Sequence, residues 1–287
     1  MKLISFEHNG RASYGIARAD GIIDLGKHLG SEFPTLKKLL AADALDRAAA
    51  LADQAADVAF DAISYLPVIP NPMHLWCLAL NYVEHHKEVE SAGRVQELPK
   101  KPALFLRAAD SMTGHQQPLR APAASEQFDY EGELAVIIGK GGRNISEADA
   151  MSHVAGFAVF NDGSIRDWQF HTKQITPGKN FYQTAALGPQ MVTADEIADV
   201  DNLSVKTWLN GQLVQDGNTR DMLFKIPAFI AYASIVAPLV PGDVLATGTP
   251  SGVGFSRKPP LWMKAGDRCE IEIEGVGRLS NPVMAEG

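Results

Sequence analysis

The chain has 287 residues with a formal net charge of −8, and it is 46% hydrophobic and 21% charged. That length supports a large domain, alone or with a small companion, around a sizeable core, and an acidic balance without a basic stripe argues against a nucleic-acid partner. Cys77 and Cys269 form neither a disulfide framework nor a zinc site and fit a reducing cytoplasm. The opening MKLISFEHNGR has too short an apolar run for a signal peptide, and the longest apolar stretch (226–240) is too short for a bilayer and carries Pro227 and Pro238, so a buried helix is expected there and no membrane partner.

Residues 1–26 read as short strands joined by hairpin-type turns at HNGR and ADGI. Residues 35–64 are alanine-rich with helical spacing of Leu and Ala, and LPVIPNP (66–72) reads as a linker. A small N-terminal α/β domain, residues 1–70, is therefore expected before a larger region, 71–287. In that region HLWCLA reads as a strand that breaks at Leu80-Asn81 into a short helical segment, and KKPALFLRA reads as another strand. SEADAMSHV reads as a helix capped by Ser146 with Asp149 at the capping-box position. GFAVFND is an apolar strand ending in an acid, and LSVKTWLNGQLVQDGN is a hairpin turning at Asn210-Gly211. DVLATGT and RCEIEIEGVGRLSNPV complete a strand-rich pattern without regular βαβ alternation, which makes the class α+β and β-rich.

The run FDYEGELAVIIGK (128–140) poses the chemical question. Gly132 to Ile138 reads as a strand buried on both faces, with Leu134, Val136 and Ile138 on one side and Ala135 and Ile137 on the other. Side chains alternate along a strand, so Glu131 and Glu133 share one face at its start. A bare Glu-x-Glu is ordinarily solvated or paired with Lys or Arg. Here Asp162 ends a second apolar strand, and three carboxylates on neighbouring strand ends suit a hard divalent cation, Mg2+ or Mn2+. His85 and Glu88, three residues apart, fall on one face of a helical turn. They form either a general base with its orienting carboxylate or part of an exposed charged helix.

These segments together resemble the fumarylacetoacetate hydrolase family, in its prokaryotic-type form with a short N-terminal domain. The motifs are LNYVEHHKE (80–88), DYEGELAVIIGK (129–140), NDGSIRDWQ (161–169), PGKNF (177–181), NGQLVQDGNTRDMLF (210–224), PGDVLATGTPSGVG (241–254) and EIEGVGRLSNPV (272–283). The resemblance implies a mixed β-sandwich roll with flanking helices, usually a homodimer, binding Mg2+ or Mn2+ through Glu131, Glu133 and Asp162. It implies that His85 and Glu88 are a catalytic dyad on a segment that closes over substrate, that Lys179 stabilises an oxyanion or enolate, and that Arg166, Gln169 and Thr249 approach substrate. Tyr130, beside Glu131, is read as reaching the pocket. The chain departs from the family pattern at Ala79, Gly163 and Ile165, and the last two are expected to reshape the pocket beside Asp162.

The function expected on this basis is a metal-dependent hydrolase of the cytoplasm. It would cleave a C–C bond in a 1,3-diketo acid of acylpyruvate, fumarylpyruvate or diketo sugar-acid type and release pyruvate or a homologue, with His85 taking a proton from water. The alternatives are decarboxylation of an oxaloacetate-like acid or isomerisation of a hydroxymuconate-type dienol, and, in another class, a catalytically silent carboxylate-binding protein. Residues 83–98, rich in charge and poor in large apolar anchors, are expected to act as a mobile lid.

Overall fold

The computed structural model describes residues 1–91, 93 and 97–287. Its strands in chain order are β1 (Lys2–His8), β2 (Arg11–Arg18), β3 (Gly21–Asp24), β4 (Ser64–Tyr65), β5 (Leu75–Ala79), β6 (Ala103–Arg107), β7 (Met112–Thr113), β8 (Leu119–Ala121) and β9 (Phe128–Asp129). They continue with β10 (Gly132–Ile138), β11 (Val154–Asn161), β12 (Ser164–Ile165), β13 (Ala185–Thr193), β14 (Ser204–Leu209), β15 (Gln212–Asn218), β16 (Val244–Ala246), β17 (Arg268–Ile273) and β18 (Gly277–Ala285). The α-helices are α1 (Leu25–His28), α2 (Leu36–Ala41), α3 (Leu45–Ala49), α4 (Val83–Ser91), α5 (Arg166–Gln169), α6 (Thr176–Lys179) and α7 (Ile226–Val236). Strands dominate and the fold is α+β.

An 11-stranded sheet runs β3-β2-β1-β13-β11-β10-β16-β5-β6, with β4 on β1 and β7 on β13, and a five-stranded sheet runs β15-β14-β17-β18-β8. β10 lies inside the large sheet, antiparallel to both β11 and β16. Its Leu134, Val136 and Ile138 join one core with Val205, Ile271 and Leu279 of the smaller sheet and with Phe229 and Ile230 of α7. Ala135 and Ile137 join a second core with Leu36, Leu39 and Leu40 of α2 and with Val68 and Ile69. An uninterrupted apolar run is what a strand covered on both faces requires.

The turns follow their residues. Asn9-Gly10 and Asn210-Gly211 have positive φ, as hairpin turns of this kind demand. Residues 35–64 are less regular than their alanine content suggests. α2 stops at Ala41 because Asp43 adopts a φ of 52°, and α3 ends at Ala49, beyond which no large apolar side chain is buried until Val58. The stretch after Ser146 is a turn and a short 3-10 segment rather than an α-helix, although the Ser146 hydroxyl does accept the Asp149 N–H at 3.2 Å. α7 buries Ile226, Phe229, Ile230 and Ala233 while Ile235 and Val236 are exposed, so only one face of that apolar helix is covered.

The N-terminal segment is tied into the large sheet, since β1 pairs with β13 through Lys2↔Val192 and Leu3↔Met191. We propose the boundary near residue 70 as a topological division and not one of independent folding. Leu39→Ala, at a fully buried position facing the large sheet, should cost about 2–5 kcal/mol, read from the denaturant midpoint. A fragment covering 71–287 should lose the cooperative transition, because the β13 edge and the α2-covered face become exposed. A soluble fragment melting within a few degrees of the whole chain would refute the shared-core reading.

Candidate active site

The site is built at the end of the β10–β11 pair. Their register sets Gly132 opposite Asn161 and Glu133 opposite Phe160. One step further out, the Asp162 N–H donates to the Glu131 carbonyl at 2.9 Å, and the Asn161 Oδ1 accepts the Glu131 N–H at 3.2 Å. Antiparallel pairing therefore places Asp162 across from Glu131, on the same sheet face as Glu133. One ligand atom from each of the three carboxylates lies within 4.8 Å of the others, and all three residues are buried.

Three buried cations meet this cluster. Lys179, carried by α6, donates to Glu131 Oε2 at 2.8 Å and to Asp162 Oδ2 at 2.5 Å. Arg107, at the end of β6, donates to Asp162 Oδ1 at 2.6 Å and to the Gly163 carbonyl at 3.0 Å. Arg166, which opens α5, pairs with Glu131 Oε1 at 2.6 Å and with Asp129 Oδ2 at 2.8 Å. Burial works against charge on Lys179 and Arg166, but the carboxylates around them outweigh it and raise both above their ordinary values. Burial also opposes ionisation of Glu131, and there Lys179 and Arg166 win, holding its carboxyl well below the usual range. Glu133 is the exception: it has no ion pair among the described residues, and its side chain accepts the Gly248 N–H at 2.9 Å. Burial, then Asp162 and Glu131, push its carboxyl well above the usual range.

That imbalance tests the fit of a cation. Asp129, Glu131, Glu133 and Asp162 outnumber Arg107, Arg166 and Lys179 among the buried residues, and the carboxylate without a basic partner belongs to the converging triad. Converging buried carboxylate oxygens with one charge unanswered fit a hard divalent ion.

The dyad forms the opposite wall. α4 buries His85, His86 and Val89 and exposes Glu84 and Lys87, which pair at 2.6 Å. His85 Nδ1 lies 3.1 Å from Glu88 Oε2, and the other Glu88 oxygen accepts the Gly252 N–H at 2.9 Å and the Ser256 hydroxyl at 2.6 Å. Burial raises the Glu88 carboxyl, but these bonds together outweigh it and leave it below its ordinary value. With Nδ1 committed to Glu88, Nε2 is the His85 atom available for proton transfer. His86 is buried but does not line the cavity. The lid expected over 83–98 falls partly on residues 92 and 94–96, which lie outside the described residues.

A cavity of about 450 Å3 joins the two walls and is lined by His85, Glu131, Glu133, Asp162, Lys179 and Arg166, with Gln169 and Thr249 beside them. Gln169 Oε1 accepts from Arg166 at 2.9 Å. The Thr249 hydroxyl donates to the Gly132 carbonyl at 3.0 Å and accepts from Gln215 at 2.8 Å, so it is held in place from two sides. Tyr130 is buried, donates to the Gly252 carbonyl at 3.1 Å and is not among the lining residues. Gly163 and Ile165 do not shape the cavity either. A Cβ on Gly163 would sit 2.0 Å from the Thr184 carbonyl oxygen, so that glycine serves a close backbone approach, and Ile165 is core.

Sequence reasoning missed Arg107, Asp129 and Gln215. Asp129 accepts the N–H groups of Gly254 at 2.7 Å and Phe255 at 3.0 Å while it holds Arg166. It thereby fixes the loop that grips Glu88. Asn81 ties its own segment to two others, donating to the Phe224 and Thr247 carbonyls and accepting the Phe224 N–H. Leu80, at φ 55°, makes the break that brings Asn81 there.

The mixed-sheet fold thus carries a buried acidic triad that could hold a divalent cation opposite a histidine–glutamate pair that could move a proton. Residues 74–284 match the model of the fumarylacetoacetate hydrolase C-terminal domain, and the chain belongs to that family. A mitochondrial oxaloacetate tautomerase of Xenopus laevis is 47% identical over 224 residues, covering 77% of this chain and 69% of the relative. A mitochondrial oxaloacetate tautomerase of Homo sapiens is 43% identical over 224 residues, covering 77% and 70%. Among solved structures, the maleylpyruvate hydrolase of a Sphingobium species, in complex with manganese(II) and pyruvate, matches with a TM-score of 0.82 at 29% identity, covering both chains fully. The 5-carboxymethyl-2-hydroxymuconate delta-isomerase of Mycobacterium smegmatis matches with a TM-score of 0.78 at 26% identity, also over both full chains.

The charge pattern yields opposite stability effects for two ligand-side variants measured without added metal. Glu133→Gln removes a buried carboxyl that has no basic partner, so it should leave the melting temperature unchanged or raise it. Asp162→Ala strands Arg107, leaves Lys179 with Glu131 alone and should cost about 3–5 kcal/mol. Thermal and denaturant unfolding of both proteins, side by side, would expose an error if Glu133→Gln proved the more damaging.

Proposed function

We propose that this chain catalyses proton transfer at the carbon next to the carbonyl of a 2-oxo acid, as a keto–enol tautomerase of oxaloacetate-type acids that uses Mg2+ or Mn2+. The observation that carries the reading is the placement of His85, oriented by Glu88, across one cavity from Glu131, Glu133 and Asp162. Similarity to the oxaloacetate tautomerases supports the substrate class. A divalent cation held by Glu131, Glu133 and Asp162 would polarise the 2-oxo group as a Lewis acid. The chain's own groups do the rest. His85 Nε2 takes a proton from C3, the C–H electron pair moves into the C2–C3 bond, and charge develops on the C2 oxygen. The proton then returns to that oxygen to give the enol. Glu88 holds the ring and steadies the imidazolium. Lys179, tied to Glu131 and Asp162, keeps the triad assembled and places a positive charge beside the developing oxyanion. Arg166 and Gln169 would meet the substrate's carboxylate.

A second reading keeps the same residues for C–C bond hydrolysis of a diketo acid, with His85 activating water. The likeness to the maleylpyruvate hydrolase favours it. The two diverge in one variant. If His85 carries the C3 proton, His85→Ala should slow deuterium exchange at C3 of oxaloacetate by roughly a hundredfold. If His85 only activates water, exchange should survive in His85→Ala while cleavage of an acylpyruvate is lost. Lys179→Met should impair both reactions, since both pass through the same charge. Proton NMR of the exchange, alongside pyruvate release from acylpyruvates, separates the two readings. Rapid exchange and rapid cleavage in His85→Ala together would sink both.

Calorimetry should show divalent-ion affinity falling at least tenfold in Glu133→Gln, and unchanged affinity would remove the triad as the metal site. A homodimer and a cytoplasmic location are further proposals, although the relatives compared above are named mitochondrial. Sedimentation equilibrium giving a monomer at micromolar concentration would refute the dimer.

A further inference from the structure

The cavity is unevenly furnished. Its inner end holds the acidic triad, and every carboxylate that lines it belongs to that triad. Its other lining residues include Leu80, Val89, Phe105, Phe170, Ile175 and Phe255, all apolar. Besides the dyad histidine, three basic side chains among the described residues line the cavity: Lys179, Arg166 and Lys173. They differ in how far their charge is already used. Lys179 is spent on Glu131 and Asp162. Arg166 is paired through Nε and Nη1, but its Nη2 is buried and lacks a hydrogen-bond partner among the described residues. Lys173 is exposed and has no ion pair among the described residues.

Lys173 is also held where it is by its own loop. It lies between α5 and α6 at the tip of a bend in which the Thr172 hydroxyl accepts the Gln174 N–H at 3.0 Å and donates to the Gln174 carbonyl at 3.2 Å. The bend is bracketed by Phe170 and Ile175, which line the same cavity. An ammonium beside Phe170, Thr172 and Ile175, in a cavity whose described carboxylates all belong to the triad, has one evident use: to receive the second negative charge of a substrate whose first end sits at the triad. Among the described residues, a second carboxylate there would otherwise meet Phe170, Thr172 and Ile175, and no lining basic side chain but Lys173 is without an ion pair.

We propose that Lys173 is the specificity-determining residue for a second carboxylate, and that with the spare Arg166 Nη2 at the 2-oxo acid end it forms a two-point clamp selecting 2-oxo diacids over 2-oxo monoacids. This inference rests on the proposed 2-oxo acid reading of the site and deepens it.

The test compares oxaloacetate with pyruvate, which shares the 2-oxo acid end and lacks the second carboxylate. Deuterium exchange at C3 is followed for both in the metal-loaded wild type, Lys173→Met and Lys173→Arg, with binding of both acids measured by calorimetry. Lys173→Met should raise KM for oxaloacetate roughly tenfold, the scale of one charged hydrogen bond at a partly wet site. Its kcat, and exchange into pyruvate, should shift less than about twofold on the same reasoning. Lys173→Arg should restore most of the diacid preference. An unchanged KM for oxaloacetate in Lys173→Met, or an equal rise for both acids, would overturn the proposal. If the wild type exchanges neither acid, the tautomerase reading fails by itself. Lys173 is then judged by calorimetry alone: loss of the oxaloacetate preference in Lys173→Met upholds the clamp, and an unaltered preference removes it.

Discussion

Everything at this site depends on packing several ionised groups into a sheet edge that excludes water. Asp129, Glu131, Glu133 and Asp162 are each at most 5% exposed, as are Arg107, Arg166 and Lys179. Desolvation of such groups costs several kcal/mol apiece, so the arrangement holds only if each charge is answered at hydrogen-bond distance. Glu131 is answered twice, by Arg166 and Lys179, and Asp162 twice, by Arg107 and Lys179. Among the described residues Glu133 is answered by the Gly248 N–H and by no ion pair. The protein thus keeps one carboxyl in a position that disfavours its own ionisation, at the point where a divalent cation would relieve the repulsion. Converging buried carboxylates are under electrostatic tension without a cation, and the β10–β11 pairing keeps them from moving apart.

The same pairing links the acidic wall to the proton-transfer wall. Asp129 holds Arg166 with one carboxylate oxygen, which also accepts the Phe255 N–H, while the other accepts the Gly254 N–H. Gly252 and Ser256, on either side of those residues, hold the Glu88 oxygen that does not face His85. The chain of contacts runs from Arg166 through Asp129 and the 252–256 loop to Glu88 and His85. Arg166 also stacks its guanidinium over the Phe255 ring at 4.6 Å. Helix α4 therefore docks onto a loop whose shape is set by the residue that anchors Arg166. Orientation of the imidazole and placement of the guanidinium are consequences of one buried carboxylate, which is why Asp129 matters although it does not line the cavity.

Much of this was legible in the residues, for identifiable reasons. The apolar run of β10 shows period-two alternation without polar interruption, and each parity falls into a different core. Glu131, Glu133 and Asp162 stand out because acids at the ends of apolar strands conflict with their surroundings. His85 and Glu88 are legible as an i, i+3 pair, but only burial separates the dyad from its exposed neighbours Glu84 and Lys87. Arg107 was not legible: ALFLR reads as an ordinary strand end, and its partner Asp162 is 55 residues away. Asp129 looked like a neighbour of the triad because nothing local shows that its partners come from a loop some 125 residues further on. The alanine-rich stretch after residue 35 misleads for a different reason. Alanine favours helix but supplies little apolar area, so tertiary contacts decide where helix persists.

Family membership alone leaves the reaction open, since the relatives compared above are named as tautomerases, a hydrolase and an isomerase, and on the proposed reading the triad, lysine and dyad suit several steps that pass through an enolate. Discrimination among substrates must come from groups that touch what differs between them. In this chain the lining groups outside the triad include the apolar side chains of Val89, Phe105, Phe170 and Ile175 and the ammonium of Lys173, which has no ion pair among the described residues. They come from three separate segments, α4, β6 and the α5–α6 loop, none of which supplies a carboxylate to the triad. On the proposed reading these side chains select substrate, and they can vary without removing an ionic partner from the buried network, whereas a change to a charged residue of that network strands a partner. One enolate-forming core can then serve several reactions, with the surrounding segments determining which acid reaches it.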